Sequence, residues 1–217
     1  ENAQPSVWAQ EVFTGKREKL TSFKGINGAP AWSPDGRSLA LTLSKDGNPD
    51  IFVMDVARRS LRPITRHRAI DTEPAWSPDG RSLVFTSDRG GAPQIYQVSV
   101  NGGEPSRVTF EGPYNARASF APDGRLLGMV TRVDGNYRIA TLDPNTRDLR
   151  ILSTGRLDES PSFAPNGSML IYATRAGGKG VLAAVSTDGR VQQRLRLQEG
   201  DVREPVWSPY LKNERNR

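Results

Sequence analysis

An eight-residue stretch, Glu73–Gly80, returns along the chain at a near-fixed spacing, and that spacing narrows the possible architectures more than any other property of the sequence. It reads Glu-Pro-Ala-Trp-Ser-Pro-Asp-Gly. Variants end at Gly36, Gly124 and Gly167, and a last copy ends at Tyr210. Its aromatic residue falls at Trp32, Trp76, Phe120, Phe163 and Trp207, in steps of 44, 44, 43 and 44 residues. A period of this size marks a repeat array and fits one four-stranded propeller blade.

Residue chemistry within the repeat supports strands joined by tight turns. In Ser77-Pro78-Asp79-Gly80, proline presets φ for the second turn position, aspartate suits the third, and glycine accepts a positive φ. The following run, Ser82–Ser87, is nearly continuous in apolar residues, as in a strand covered on both faces. Trp32, Trp76 and Trp207 are expected to pack in the core, because a repeated position is most simply a packing position.

The expected fold is all-β, a single propeller domain over 1–217. A partial blade at 7–23 comprises strands Val7–Phe13 and Arg17–Phe23. Full blades follow at about 28–66, 72–110, 116–154 and 159–198, with first strands beginning at Pro30, Pro74, Ala118 and Pro161 and fourth strands including Ser106–Phe110 and Val191–Gln198. A closing strand lies at 204–208, and 211–217 form a polar tail. Nineteen strands are five short of a six-bladed ring of 24, so the chain reads as a six-bladed type lacking about five strands. The alternative is a compact five-bladed closure.

Composition excludes several classes. No apolar run approaches 18 residues, so no membrane span is expected, and no charged-then-apolar leader is present. The absence of cysteine removes disulfides and thiol chemistry. The net charge of +6 is scattered, and Arg66-His67-Arg68 is its densest knot; this reads as a solvated edge rather than a nucleic-acid surface. No nucleophile elbow or phosphate loop occurs, and His67, the sole histidine, lies between two arginines. Asp46-x-Asn48-x-Asp50 opens like a calcium loop, but Ile51 and Ala57 occupy positions where glycine and glutamate are required, so it reads as a hairpin turn. Asp35, Asp79 and Asp123 read as turn residues. No catalytic residue, metal or cofactor is expected.

In a propeller, the loops entering the first strands gather at one mouth of the channel, and recognition concentrates on such loops. The candidate partner-binding residues are therefore Ile26, Asn27 and Ala29; Asp71, Thr72 and Glu73; Tyr114, Asn115 and Arg117; Asp158 and Glu159; and Asp201, Arg203 and Glu204.

The repeats resemble TolB-type propeller repeats. The unrepeated segments Leu43–Ile51, Ala164–Tyr172 and Glu204–Leu211, in order, resemble the TolB family of the bacterial Tol–Pal system, and the similarity runs from about Val7 to Leu211. The resemblance implies a periplasmic, non-enzymatic scaffold serving outer-membrane integrity and cell division. It implies binding of the lipoprotein Pal at the propeller mouth, and in some members of translocating colicins there. The loop around Ile26 and Ala29, with Thr72-Glu73, carries over by motif. TolA contact is assigned to an N-terminal part that this sequence lacks, and Ile26 stands where some members place a histidine. One rival reading is the gating propeller of a prolyl-oligopeptidase-like serine peptidase. Another is a sugar or nucleic-acid binder using the positive charge.

Overall fold

The computed structural model describes residues 4–195 and 200–209, and all its regular elements there are strands. The chain divides into two compact units, 1–118 and 119–217. In the first, β1 (Val7–Gln10) and β2 (Arg17–Thr21) form a two-stranded hairpin. Next come β3 (Asn27–Trp32), β4 (Ser38–Leu43), β5 (Asp50–Asp55) and β6 (Ser60–Pro63), then β7 (Asp71–Trp76), β8 (Ser82–Ser87), β9 (Gln94–Ser99) and β10 (Ser106–Arg107). The later strands are β11 (Asn115–Phe120), β12 (Leu127–Val133), β13 (Asn136–Leu142), β14 (Leu149–Ile151), β15 (Glu159–Phe163), β16 (Met169–Ala176), β17 (Lys179–Ser186) and β18 (Gln192–Leu195). Together they make four four-stranded sheets in which strand order follows chain order, the build of propeller blades.

Burial explains the hydropathy of the strands. β4 and β8 are each buried over five consecutive residues, so both faces are covered, whereas the outer strand β6 alternates exposed with half-buried positions. In unit 1, Ala40, Ile51, Val53 and Ile64 of one sheet pack on Leu83, Phe85, Tyr96 and Val98 of the next. Val7 and Leu20 of the hairpin pack on Leu39, Leu41, Phe52 and Met54. In unit 2, Gly128 leaves room for its neighbours: a Cβ there would lie 2.8 Å from both Leu170 Cδ2 and Phe163 Cε2.

The turn reading holds in all four copies. Gly36, Gly80, Gly124 and Gly167 have φ of 70° to 74°. Their N–H groups donate to Ser33, Ser77, Ala121 and Ala164 carbonyls at 2.8–2.9 Å. Asp35 Oδ1 accepts from Ser33 Oγ (2.5 Å) and Arg37 N (3.0 Å), and Asp79 Oδ1 from Ser77 Oγ (2.6 Å) and Arg81 N (3.0 Å). Chiefly through the serine hydroxyl, both carboxyls are held below their ordinary range.

Several boundaries differ from the sequence reading. The first strands begin earlier, at Asn27, Asp71, Asn115 and Glu159; in β3, β7 and β15 an internal bulge admits the proline expected as their start, while β11 begins ahead of the expected Ala118. Register shifts fall between Gly28 and Ala31, Thr72 and Ala75, and Glu159 and Ser162. Proline lacks an N–H and is tolerated in a sheet at such bulges. The outer strands end sooner: β10 stops at Arg107 because Val108 N and Thr109 N both turn to Ile95 O, at 2.8 and 3.4 Å. Residues 204–208 form no strand; Trp207 N donates to Ser162 Oγ at 3.1 Å instead of joining a ladder. The expected end of β18 at 196–198 and the tail at 211–217 lie outside the described residues.

The tryptophans divide in their environments. Trp76 is half-buried, with Nε1 donating to Ala31 O of the preceding sheet at 2.9 Å. Trp32 is 51 % exposed and Trp207 40 %, so neither is a core residue.

Candidate functional site

Four of the expected partner-binding residues are buried and hold backbone or side-chain groups of neighbouring loops. Asn27 donates to Phe23 O (2.6 Å) and Gly25 O (3.1 Å) and accepts from Phe23 N (2.9 Å), closing its own loop. Asp71 is 0 % exposed and takes a bidentate contact from Arg89 Nη2 at 2.7 and 3.0 Å. The Arg89 guanidinium stacks over Phe85 and Tyr96, 5.3 and 5.0 Å from their ring centroids. Asn115 Nδ2 donates to Gln94 Oε1 (2.9 Å) and Glu111 O (2.7 Å). Asp158 Oδ2 accepts from Ser153 Oγ (2.5 Å) and Gly155 N (3.0 Å). Each stands near the start of a first strand, where a short polar side chain satisfies loop donors or acceptors that water cannot reach. These four side chains are thus engaged within the chain, beneath the loops that carry the other candidates.

The next positions turn outward. Ala29, Glu73, Arg117, Ser160 and Glu204 all have positive φ, between 46° and 56°, and recur at the repeat spacing. Left-handed backbone at a residue with a side chain costs about 1–2 kcal/mol and persists only where its surroundings impose it. At Ala29, Glu73 and Ser160 the imposition is the bulge, which also re-aims the side chain it carries.

In unit 1 two of these positive-φ residues have specific partners. Glu73 N donates to Thr42 Oγ1 at 3.2 Å, and Arg117 N to Thr86 Oγ1 at 3.0 Å. Each threonine is buried in the second strand of the preceding sheet. Thr86 Oγ1 also donates to Glu73 Oε2 at 3.0 Å. Glu73 Oε1 meets Arg117 Nε at 2.7 Å, with the side chains 24 % and 36 % exposed. Thr72 Oγ1 lies 3.4 Å from Thr42 Oγ1. Of the charges assigned to the rim, the structure thus brings Glu73 and Arg117 together.

An apolar series precedes the same strands. Ile26 and Ile70 are both about half exposed, and Tyr114 follows at the same spacing, half-buried. Ile26 N donates to Ser44 Oγ (2.7 Å) and Ile70 N to Asp88 Oδ1 (2.8 Å), which ties both residues to second-to-third-strand connections. Ile70 was missed by the sequence reading, although its repeat position matches Ile26. The threonines were missed too; Thr42 and Thr86 each follow the repeat tryptophan by ten residues.

In unit 2, Glu159 is half-buried, while Asp201, Arg203 and Glu204 are exposed. Asp201 accepts from Gly180 N (2.5 Å) and pairs with Arg203 (3.1 Å), contacts that lower its carboxyl pKa in that order. His67 is exposed, with Nδ1 accepting from Ala69 N at 3.0 Å. Asn48 and Asp50 serve the loop containing His67: Asn48 Nδ2 donates to His67 O (2.7 Å) and Ala69 O, and Asp50 Oδ1 accepts from Thr65 Oγ1 (3.2 Å) and His67 N (3.1 Å). Among the described residues no group of three or more His, Cys, Asp or Glu is placed to hold a metal ion, and no helix is long and apolar enough to cross a membrane.

Comparison with known proteins follows the same lines. The family described as "TolB beta propeller domain" matches residues 1–211. A Tol-Pal system protein TolB from Alcanivorax borkumensis is 61 % identical over 211 residues, covering 97 % of this chain and 49 % of its own length. That from Ruthia magnifica is 55 % identical over 212 residues, covering 97 % of this chain and 50 % of its own. The crystal structure of TolB from Acinetobacter baumannii superposes with a TM-score of 0.89 at 48 % identity, over 95 % of this chain and 52 % of that one. The chain thus spans about half the length of the relatives it matches.

Proposed function

This chain belongs to the TolB β-propeller family, and from that premise we propose that it is a non-enzymatic, protein-binding module of the Tol–Pal system, acting in the periplasm. Its partner in this reading is Pal, bound by the bulged starts of the first strands, and the role served is outer-membrane integrity and cell division. TolA is not assigned to this chain, and colicin-type peptides would compete for the same surface. The observation that carries the reading is the Glu73–Arg117 pair, part-exposed on consecutive first strands, with half-exposed Ile26 and Ile70 preceding strands of the same series. Exposed apolar residues together with an arginine held in a fixed pose match the composition of protein interfaces. The side chains beneath are already locked, so binding orders little and loses little entropy.

The test is calorimetric titration of the purified chain with the periplasmic domain of Pal. Saturable one-to-one binding is expected. Glu73→Ala and Arg117→Ala are each expected to weaken it by about tenfold or more, the scale of truncating one interface anchor. A folded chain that shows no saturable binding would overturn the proposal.

A further inference from the structure

Thr86 closes a circuit. Its hydroxyl oxygen accepts from Arg117 N at 3.0 Å while its proton goes to Glu73 Oε2 at 3.0 Å. The other carboxylate oxygen of Glu73 meets Arg117 Nε at 2.7 Å. One buried hydroxyl therefore touches both members of the pair, the backbone of one and the side chain of the other. The circuit spans two repeats: Glu73 precedes Thr86 within one sheet, and Arg117 sits in the next first strand.

Three properties set this threonine apart from an ordinary buried hydroxyl. It is 6 % exposed, so water does not replace it easily. The N–H it accepts belongs to a residue at φ 55°, a conformation that needs outside support. Thr42, its counterpart one repeat earlier, accepts Glu73 N at 3.2 Å but has Thr72 Oγ1, not a carboxylate, as its further neighbour at 3.4 Å. A carboxylate partner makes the Thr86 bond charge-assisted and directional.

We infer that Thr86 is a positioning residue. It fixes the orientation of the Glu73–Arg117 pair, and hence the charge pattern that the rim presents to a protein partner. Without the hydroxyl, the Glu73 carboxylate loses the donor to its second oxygen and the Arg117 N–H loses its acceptor. The pair then samples many orientations, and a partner must select one. This inference rests on the proposed Pal-binding reading for its functional half, while its structural half stands by itself.

The experiment has two arms. In the first, a double-mutant cycle of Glu73→Ala and Arg117→Ala is measured by urea denaturation in the native and the Thr86→Val backgrounds. The coupling is expected to fall to less than half in Thr86→Val; an unchanged coupling overturns the inference. In the second, affinity for the Pal periplasmic domain is compared across Thr86→Val, Thr86→Ser and Thr21→Val. Thr86→Val is expected to weaken binding about tenfold, from loss of a hydrogen bond to a charged group. Thr86→Ser keeps the hydroxyl and stays within about threefold of native. Thr21→Val, a buried threonine of the β1–β2 hairpin, also stays within about threefold. Thr86→Ser binding as poorly as Thr86→Val overturns the inference. Thr86→Ala replaces the valine variant in both arms if the latter does not fold. If the native chain does not bind Pal, the proposed function fails, and the coupling measurement still decides the role of Thr86.

Discussion

Asp71→Ala removes a carboxylate that is 0 % exposed from a guanidinium whose side chain is 13 % exposed. Deleting one member of a buried pair leaves the other charge without compensation and costs about 3–5 kcal/mol. Arg89 retains its stacking on Phe85 and Tyr96 and a narrow route to water, so the lower figure, about 3 kcal/mol, applies. For a chain of this length, about 2–4 °C of Tm accompany each kcal/mol, which predicts a fall of about 6–12 °C in a thermal melt. Replacing both groups with apolar residues removes the orphaned charge, so Asp71→Ala with Arg89→Met is expected to be more stable than Asp71→Ala alone. A Tm for Asp71→Ala within about 2 °C of native, less than 1 kcal/mol on the same scale, would overturn the reading of Asp71 as an internal anchor. So would a double variant no better than the sum of its parts. The contrast with Glu73 is the functional point: Asp71→Asn should lower stability and leave the affinity of the remaining folded protein for Pal within about twofold, under 0.5 kcal/mol.

Three further outcomes follow from particular contacts. Burial raises the Asp50 carboxyl pKa against the hydrogen bonds from His67 N and Thr65. The folded state therefore holds that proton more tightly than the unfolded state. The resulting stabilisation is full below the unfolded pKa and is lost as pH rises through the folded one. Urea titrations of Asp50→Asn should show its stability improving relative to native as pH rises across that interval; a difference independent of pH would contradict this. Gly128→Val pushes new carbon into Leu170 and Phe163 and should cost about 1–3 kcal/mol in urea denaturation. Trp76→Phe abolishes the bond to Ala31 O, at about 0.5–1.5 kcal/mol, whereas Trp32→Phe at an exposed indole should change stability by under about 0.5 kcal/mol.

Much of the scaffold was legible because its signals are local. Ser-Pro-Asp-Gly carries its own turn geometry, and Ser38–Leu43 and Ser82–Ser87 have the strand limits their apolar runs suggest. The beginnings of the first strands were not legible, because Pro30 and Pro74 read as strand starts when each lies within a bulge. The rim was half legible. Repeat position placed Glu73 and Arg117 among the candidates, and the two meet. It could not separate them from Asp71 and Asn115, neighbours of the same polar character whose side chains point inward. That difference depends on which face of a bulged strand each residue occupies, and on Arg89 and Gln94, partners 18 and 21 residues away. The tryptophans misled because a repeated residue type does not by itself fix burial: Trp76 reaches Ala31 O of the preceding sheet, whereas Trp32 and Trp207 are exposed.

The hydroxyls of Thr42 and Thr86 each serve the strand that comes next along the chain rather than their own sheet. These two joints therefore have a sense of direction, with the earlier sheet acting as acceptor for its successor. Exchanging two repeats would keep each one's internal ladders, yet the seam would survive only if the incoming copy brought a threonine at the matching place. A module that looks interchangeable by its turns is, at its seams, committed to an order.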